Sequence, residues 1–291
     1  MPPYRKQHYV PEGHLKRFTE YWFSEVESDK IIFVTKKADS YEFQENISNV
    51  AYLAWGYSAS GSELKFEKAL EDIETDLINK VDRILKGESM DGVRTIISYY
   101  VAMMHVRSTA VMIAIEEQKL DEDSREIHFA YFLRELDEGN IRGVPLENYD
   151  SGVIRSREGS EFITSDNPVI CVDTKIALKN MSENEFIHGS EKGDRNIYLC
   201  PLSSYHCAIL AEKNSNNKYV KTFLEIANID IEYWVSEVNR FMVANVINEV
   251  YSEKSLTGRI DLTCDRLKHP NQEQLDADFS KRRKLGKNKS S

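Results

Sequence analysis

Apolar residues recur at three- and four-residue spacing through Phe66, Leu70, Ile73, Leu77, Val81 and Ile84, the period of a helix with one buried face. Ser60 and Glu63 form a capping box ahead of it, and Gly87 is its expected stop. The opposite face, with Glu67, Glu71, Glu74 and Asp82, reads as solvated. Asp91 to Lys119 is apolar nearly all round its middle, the signature of a helix enclosed by its neighbours. A third helix is predicted over Asp121 to Glu138, closed by Gly139-Asn140. Toward the other end, Ile231, Val235, Val238, Met242, Asn245, Val246 and Glu249 trace a stripe that predicts a last long helix ending near Tyr251. Asn239 and Asn245 lie on or beside its apolar face. Buried there, each needs partners on another element, and the pair is placed to tie the helix to a sheet.

Other stretches read as strands. Lys30 to Thr35 and Tyr41 to Phe43 form a hairpin across a polar loop, and Gly152–Arg155, Phe162-Ile163, Val169–Val172, Asn196–Cys200 and His206–Ala211 follow as short apolar runs. Pro201 to Ser204 turns the last two into a pair. Near the start, Gln7 to Phe18 combines His8, an extended Tyr-Val-Pro and a short amphipathic piece in which His14, Leu15 and Phe18 share a face. Ile47 to Tyr57 is rich in aromatics, with Gly56 against a helix there. Lys179 to Arg195 is a polar loop long enough for a lid or a plain excursion, and Lys213 to Lys218 is a second. The expected fold is α+β: a layer of three to four long helices packed on a small, mostly antiparallel sheet, as one domain over residues 1–268.

The densest knot of polar residues is Thr164-Ser165-Asp166-Asn167-Pro168, between the runs Phe162-Ile163 and Val169–Val172. It reads as strand, tight turn, strand. Asp and Asn side chains bond nearby backbone, and Pro168 holds Asn167 out of the α region. A binding site has such a turn, and so does a turn that only has to be a turn.

Composition narrows the field. With 41% hydrophobic residues the chain can fill a substantial core. The region Val93 to Ile115 is interrupted by Arg94, His105 and Arg107, and the N-terminus lacks an apolar leader, so neither a membrane span nor a signal peptide is expected and a cytoplasmic location is. A net charge of −10 argues against a broad face that follows nucleic acid. The exception is the polar tail 269–291, expected to be disordered, whose basic run Lys281 to Lys289 suits nucleic acid or an acidic partner. Cys171, Cys200, Cys207 and Cys264 lack C-x-x-C spacing, and the seven histidines are scattered, so no metal site is expected. Nucleotide-binding loops, nucleophile elbows and the HExxH pattern are absent, which leaves any cofactor unknown. Arg107, on the most apolar helix, needs a carboxylate, a carbonyl, a ligand or an escape to solvent; His105 beside it is by default a satisfied core histidine.

The order QHYVP and LKRF, then FITSDNPV, then PLS, resembles the family known as domain of unknown function 4238, and the likeness runs from about Gln7 to Tyr251. The resemblance implies a single soluble domain of bacterial type and no established activity. It marks His8, Tyr9, Pro11, Phe18, Thr164 to Pro168 and Pro201 to Ser203. Two functional readings follow. In one, the chain is a hydrolase of phosphoester or nucleotide bonds: His8 is general acid or base, Asp166 orients it or holds a cation, Arg107 steadies developing negative charge, and Thr164, Ser165, Asn167 and His105 touch a small-molecule or nucleic-acid ligand. In the other, the chain is a non-catalytic binding or interaction protein, and the same residues hold the fold together.

Overall fold

The two apolar runs on either side of Ser204 pair with each other and form the middle of the molecule. A computed structural model describes residues 6–20, 22, 30–54, 64–108, 134–141, 144–173, 196–213 and 230–260. In chain order its elements are β1 (Lys6–His8), α1 (Glu12–Leu15), β2 (Ile31–Lys36), β3 (Glu42–Asn46), β4 (Tyr52–Ala54), α2 (Leu64–Leu85) and α3 (Val93–Val106). Then follow β5 (Asn140–Ile141), β6 (Val144–Pro145), β7 (Tyr149–Arg155), β8 (Thr164–Ser165), β9 (Ile170–Asp173), β10 (Asn196–Ser203), β11 (His206–Glu212), α4 (Ile231–Asn245) and β12 (Glu249–Ser252).

One four-stranded antiparallel sheet has the order β7-β11-β10-β9. Successive side chains on a strand point to opposite faces. Tyr198, Cys200, Leu202, Ala208 and Leu210 therefore join one core with α2, α3 and the N-terminal segment. Ile197, Leu199, Cys207, Ile209 and Ala211 join a second core with α4. With both faces covered, β10 and β11 read as near-continuous apolar runs rather than as alternating ones. A second antiparallel sheet, β3-β2-β12-β8, lies alongside, and β1-β4 and β5-β6 are two-stranded pieces.

Local chemistry sets the ends of the elements. Helix α2 stops where Gly87 takes φ +83°; the N–H of Gly87 bonds to Ile84 O and that of Glu88 to Arg83 O, closing the last carbonyls. Helix α4 starts at Asp230, whose carboxylate accepts from Tyr233 N at 3.0 Å. No described helix is long and apolar enough to cross a membrane.

The fold class is α+β with antiparallel sheets, and the predicted β2/β3 and β10/β11 hairpins form. Four features differ from expectation. The described helices do not make one layer: α2 and α3 contribute to one core and α4 to the other, and there are two four-stranded sheets rather than one small one. The last helix ends at Asn245, and Glu249–Ser252 is the inner strand β12, because the main chain after Asn245 is drawn off the helix by side chains of the 164–167 segment. The strands on either side of that knot do not pair with each other; β8 adds to β12 and β9 to β10, so the knot is a crossover between sheets. Two residues of the supposedly solvated face of α2, Glu74 and Asp82, meet buried arginines. Several expectations fall outside the described residues: the capping box at Ser60 and Glu63, the run from 55 to 57, the helix continuing past residue 108, residues 121–133 of the third helix, the loop 179–195, the loop from 214 to 218, Cys264 and the tail 269–291.

Candidate functional site

The polar knot is sealed. Thr164, Ser165, Asp166 and Asn167 are all buried. Asp166 Oδ1 accepts from Ile247 N at 3.0 Å, and Oδ2 accepts from Asn248 N at 2.6 Å and Glu249 N at 3.3 Å, while Asp166 N donates to Glu249 O at 3.0 Å. Burial pushes this carboxyl up to about 7, with the Glu249 carboxylate adding to the rise and the three N–H donors opposing it. Ser165 Oγ donates to Met242 Sδ at 3.0 Å and accepts from Asn167 N at 3.1 Å. Asn167 and Asn245 exchange side-chain-to-main-chain bonds, Nδ2 to Asn245 O at 3.1 Å and Nδ2 to Asn167 O at 3.3 Å, and Asn245 also donates to Val169 O. Asn239 accepts from Ile163 N at 3.0 Å and donates to Glu161 O at 2.9 Å. Both asparagines thus fasten α4 to the segment around β8, as their place beside the apolar stripe suggests.

Thr164 leads into a second buried network. His14 Nε2 lies 3.1 Å from Thr164 Oγ1 and His14 Nδ1 lies 2.8 Å from the Tyr100 hydroxyl. Arg17 donates to the same hydroxyl at 2.8 Å, to Asp82 Oδ1 at 2.6 Å and to Ile78 O at 3.0 Å. Because Tyr100 oxygen accepts from Arg17, its proton is free for His14 Nδ1, which assigns the other ring proton to Nε2 and Thr164. Burial, and then the Arg17 charge, hold His14 well below the usual histidine range, so the ring is neutral. Burial works against the Arg17 charge, but Tyr100 and Asp82 outweigh it and the net shift is upward. Neither Arg17 nor His14 stands out as a site residue in the sequence. Lys16-Arg17 looks like an ordinary solvated pair, and only their place in the QHYVP…LKRF stretch marks them.

Arg107 follows α3 and is buried, its guanidinium paired with Glu74 and donating to the His8 carbonyl. Of the four possibilities open to it, a carboxylate and a carbonyl are the ones that offset its desolvation. His8 Nε2 meets Glu12 Oε1 at 3.0 Å with the imidazole 13% exposed, its ring sits 5.9 Å from that of Tyr52, and its Nδ1 is buried with no hydrogen-bond partner among the described residues. His105 packs edge-on to Tyr198 at 5.9 Å. The fold brings His8 and Arg107 together through the His8 main chain. Asp166 spends its carboxylate on another segment, both oxygens accepting from the 247–249 main chain. Ser203 serves a turn, accepting from Tyr205 N at 3.1 Å and lying 2.9 Å from His206 Nδ1. Burial, and then Arg155 and Arg17, bring His206 down to about 4. Among the described residues no group of His, Cys, Asp and Glu is arranged to hold a metal ion.

An open concavity lies next to the knot, beside residues 159–163. A cleft of about 350 Å³ runs between residues 159–163, the start of α4 and residues 252–260. Phe162, Ile163, Val235 and Leu256 form a buried apolar floor. At its edge Glu161 receives Lys254 on one oxygen and Arg259 on the other, the latter at 3.0 Å. Burial works against the Glu161 carboxylate, but these two cations win and hold it below its ordinary range. None of His8, His105, Arg107, Thr164, Ser165, Asp166 or Asn167 lines this cleft. Glu161, Lys254 and Arg259 are common surface types scattered over about a hundred residues of sequence, so only the fold reveals them as a group.

No curated protein and no solved structure matches the chain. The model of a family described as Protein of unknown function (DUF4238) matches residues 6–142 and 143–255. With nearly all of the described fold inside those two spans, the chain belongs to that family.

Proposed function

We propose that this chain is a non-catalytic binding protein in which His8, Asp166 and Arg107 hold the fold together. The observation that carries the reading is the occupation of Asp166, whose two oxygens take three main-chain N–H donors. A general base or cation-holding carboxylate needs a lone pair directed at substrate. Arg107, likewise, spends its charge on Glu74 and on the His8 carbonyl.

A second reading, hydrolysis of a phosphoester or nucleotide bond, has one observation in its favour: the partly exposed His8 imidazole bonded to Glu12 is a histidine oriented by a carboxylate. The purified chain and its His8→Ala, Glu12→Gln and Asp166→Asn variants, assayed with bis(4-nitrophenyl) phosphate and by thermal melting, separate the two. The binding reading expects no His8-dependent turnover and a lower melting temperature for Asp166→Asn. Turnover lost in His8→Ala, with folding intact, would overthrow it in favour of the hydrolase.

A further inference from the structure

We propose that the cleft between residues 159–163, α4 and residues 252–260 binds a small carboxylate with an apolar body. The argument is a count of donors against acceptors. Glu161 is occupied on both oxygens, one by Lys254 and the Gly159 N–H and the other by Arg259. The cations are not. Lys254 has three N–H donors and Arg259 five, each gives one to Glu161, and the two side chains are 46% and 45% exposed. The edge of the cleft therefore offers unspent donors among the described residues, and a guanidinium beside an ammonium favours a group that only accepts, such as a carboxylate. A monoanion suits it better than a dianion, because Glu161 stays in place and repels the second charge.

Of the remaining charges of the lining, Glu232 pairs with Arg157 and Arg240 with Glu237, while Glu253 accepts from the neutral Tyr205 hydroxyl at 3.3 Å and keeps a charge that acts on Lys254, which directs the carboxylate of a ligand to Arg259. Beneath the donors the floor of Phe162, Ile163, Val235 and Leu256 is apolar, so the part of the ligand away from its carboxylate is hydrocarbon. The volume is at the lower end for small-molecule sites, which limits that part to one ring or a short chain. A planar guanidinium next to an ammonium is well matched to the two oxygens of a carboxylate.

This deepens the binding reading, and the two fail separately: His8-dependent turnover sinks that reading and leaves the cleft untouched. The test is titration of the full chain with 4-phenylbutyrate, 4-phenylbutan-1-ol and 4-phenylbutylamine, followed by calorimetry or ligand-observed NMR. The carboxylate should bind at least about tenfold more tightly than the alcohol or the amine, the worth of one charged hydrogen bond. Arg259→Gln, with its melting temperature checked, should erase that preference. Ser236→Trp, placed on an exposed lining position of α4, should abolish binding of all three. Equal affinity for the three probes, no binding of the carboxylate, or carboxylate binding that survives Ser236→Trp would each overturn the proposal.

Discussion

The knot at 164–167 and the cleft next to it are neighbours in sequence and opposites in chemistry. In the knot the carboxylate is buried and its partners are main-chain N–H groups, fixed by the course of the backbone. At the cleft the carboxylate Glu161 is met by two long side chains that are nearly half in water. A polar group sealed in this way specifies how the chain crosses from one sheet to the other. One held by half-exposed cations leaves donors available to something else. The density of polar residues in a sequence is thus a poor guide to where a ligand goes, since the denser cluster here is the one already satisfied.

Substitution should sort the two regions by size of effect. Asp166→Ala leaves two buried N–H groups and a partly buried one without this acceptor and should cost about 4 kcal/mol in urea denaturation. A loss below about 1 kcal/mol would mean that the knot is not the clasp described. Arg17→Met strips Tyr100 and Asp82 of their cation and should cost about 3 kcal/mol, tempered by the partial exposure of Asp82.

Acid sharpens the picture further. His206 is down to about 4, so between pH 6.5 and 4 the unfolded chain takes up a proton that the folded one refuses, and stability falls with pH. His14 acts in the same sense. Asp166, raised to about 7, acts oppositely: from pH 7 down toward its unfolded value the folded state is the one that gains the proton, and stability rises. His206→Asn, which keeps an acceptor for Ser203, should therefore remove an acid-induced loss on the order of 2 kcal/mol, whereas Asp166→Asn should steepen that loss. Parallel stability–pH profiles for the three proteins would refute both assignments. Smallest of all, Lys254→Gln and Arg259→Gln, each of which leaves the buried Glu161 carboxylate its other, half-exposed cation, should each cost about 1 kcal/mol.

How far the sequence could carry these conclusions depended on what holds each feature. Helix α2 and its stop at Gly87 were legible because an apolar period and a left-handed glycine are properties of local sequence. Asn239 and Asn245 were legible as tethers because a polar side chain on an apolar face must be satisfied. The end of α4 was not, because the stripe continues through Val246 and Glu249 while the force that breaks it comes from Asp166, some eighty residues away. Main-chain N–H groups look the same in every sequence, so a carboxylate that binds them cannot be told from one that awaits a substrate. The acids Glu74 and Asp82 looked solvated for a related reason: their partners, Arg107 and Arg17, come from other elements.

Strand β12 lies between β2 and β8, joining a strand of residues 31–36 to one of residues 164–165. A chain emerging from the ribosome makes β2 early and β8 later, and neither finds this neighbour until Glu249 to Ser252 have been added. Loop closure over such separations is slow, and sheet edges left open in the meantime invite pairing with other chains. During synthesis, the hairpin β2/β3 should stand as an exposed two-stranded ribbon for the time needed to translate roughly two hundred further residues. That interval is when the open edges of the ribbon should be most exposed to pairing with other chains.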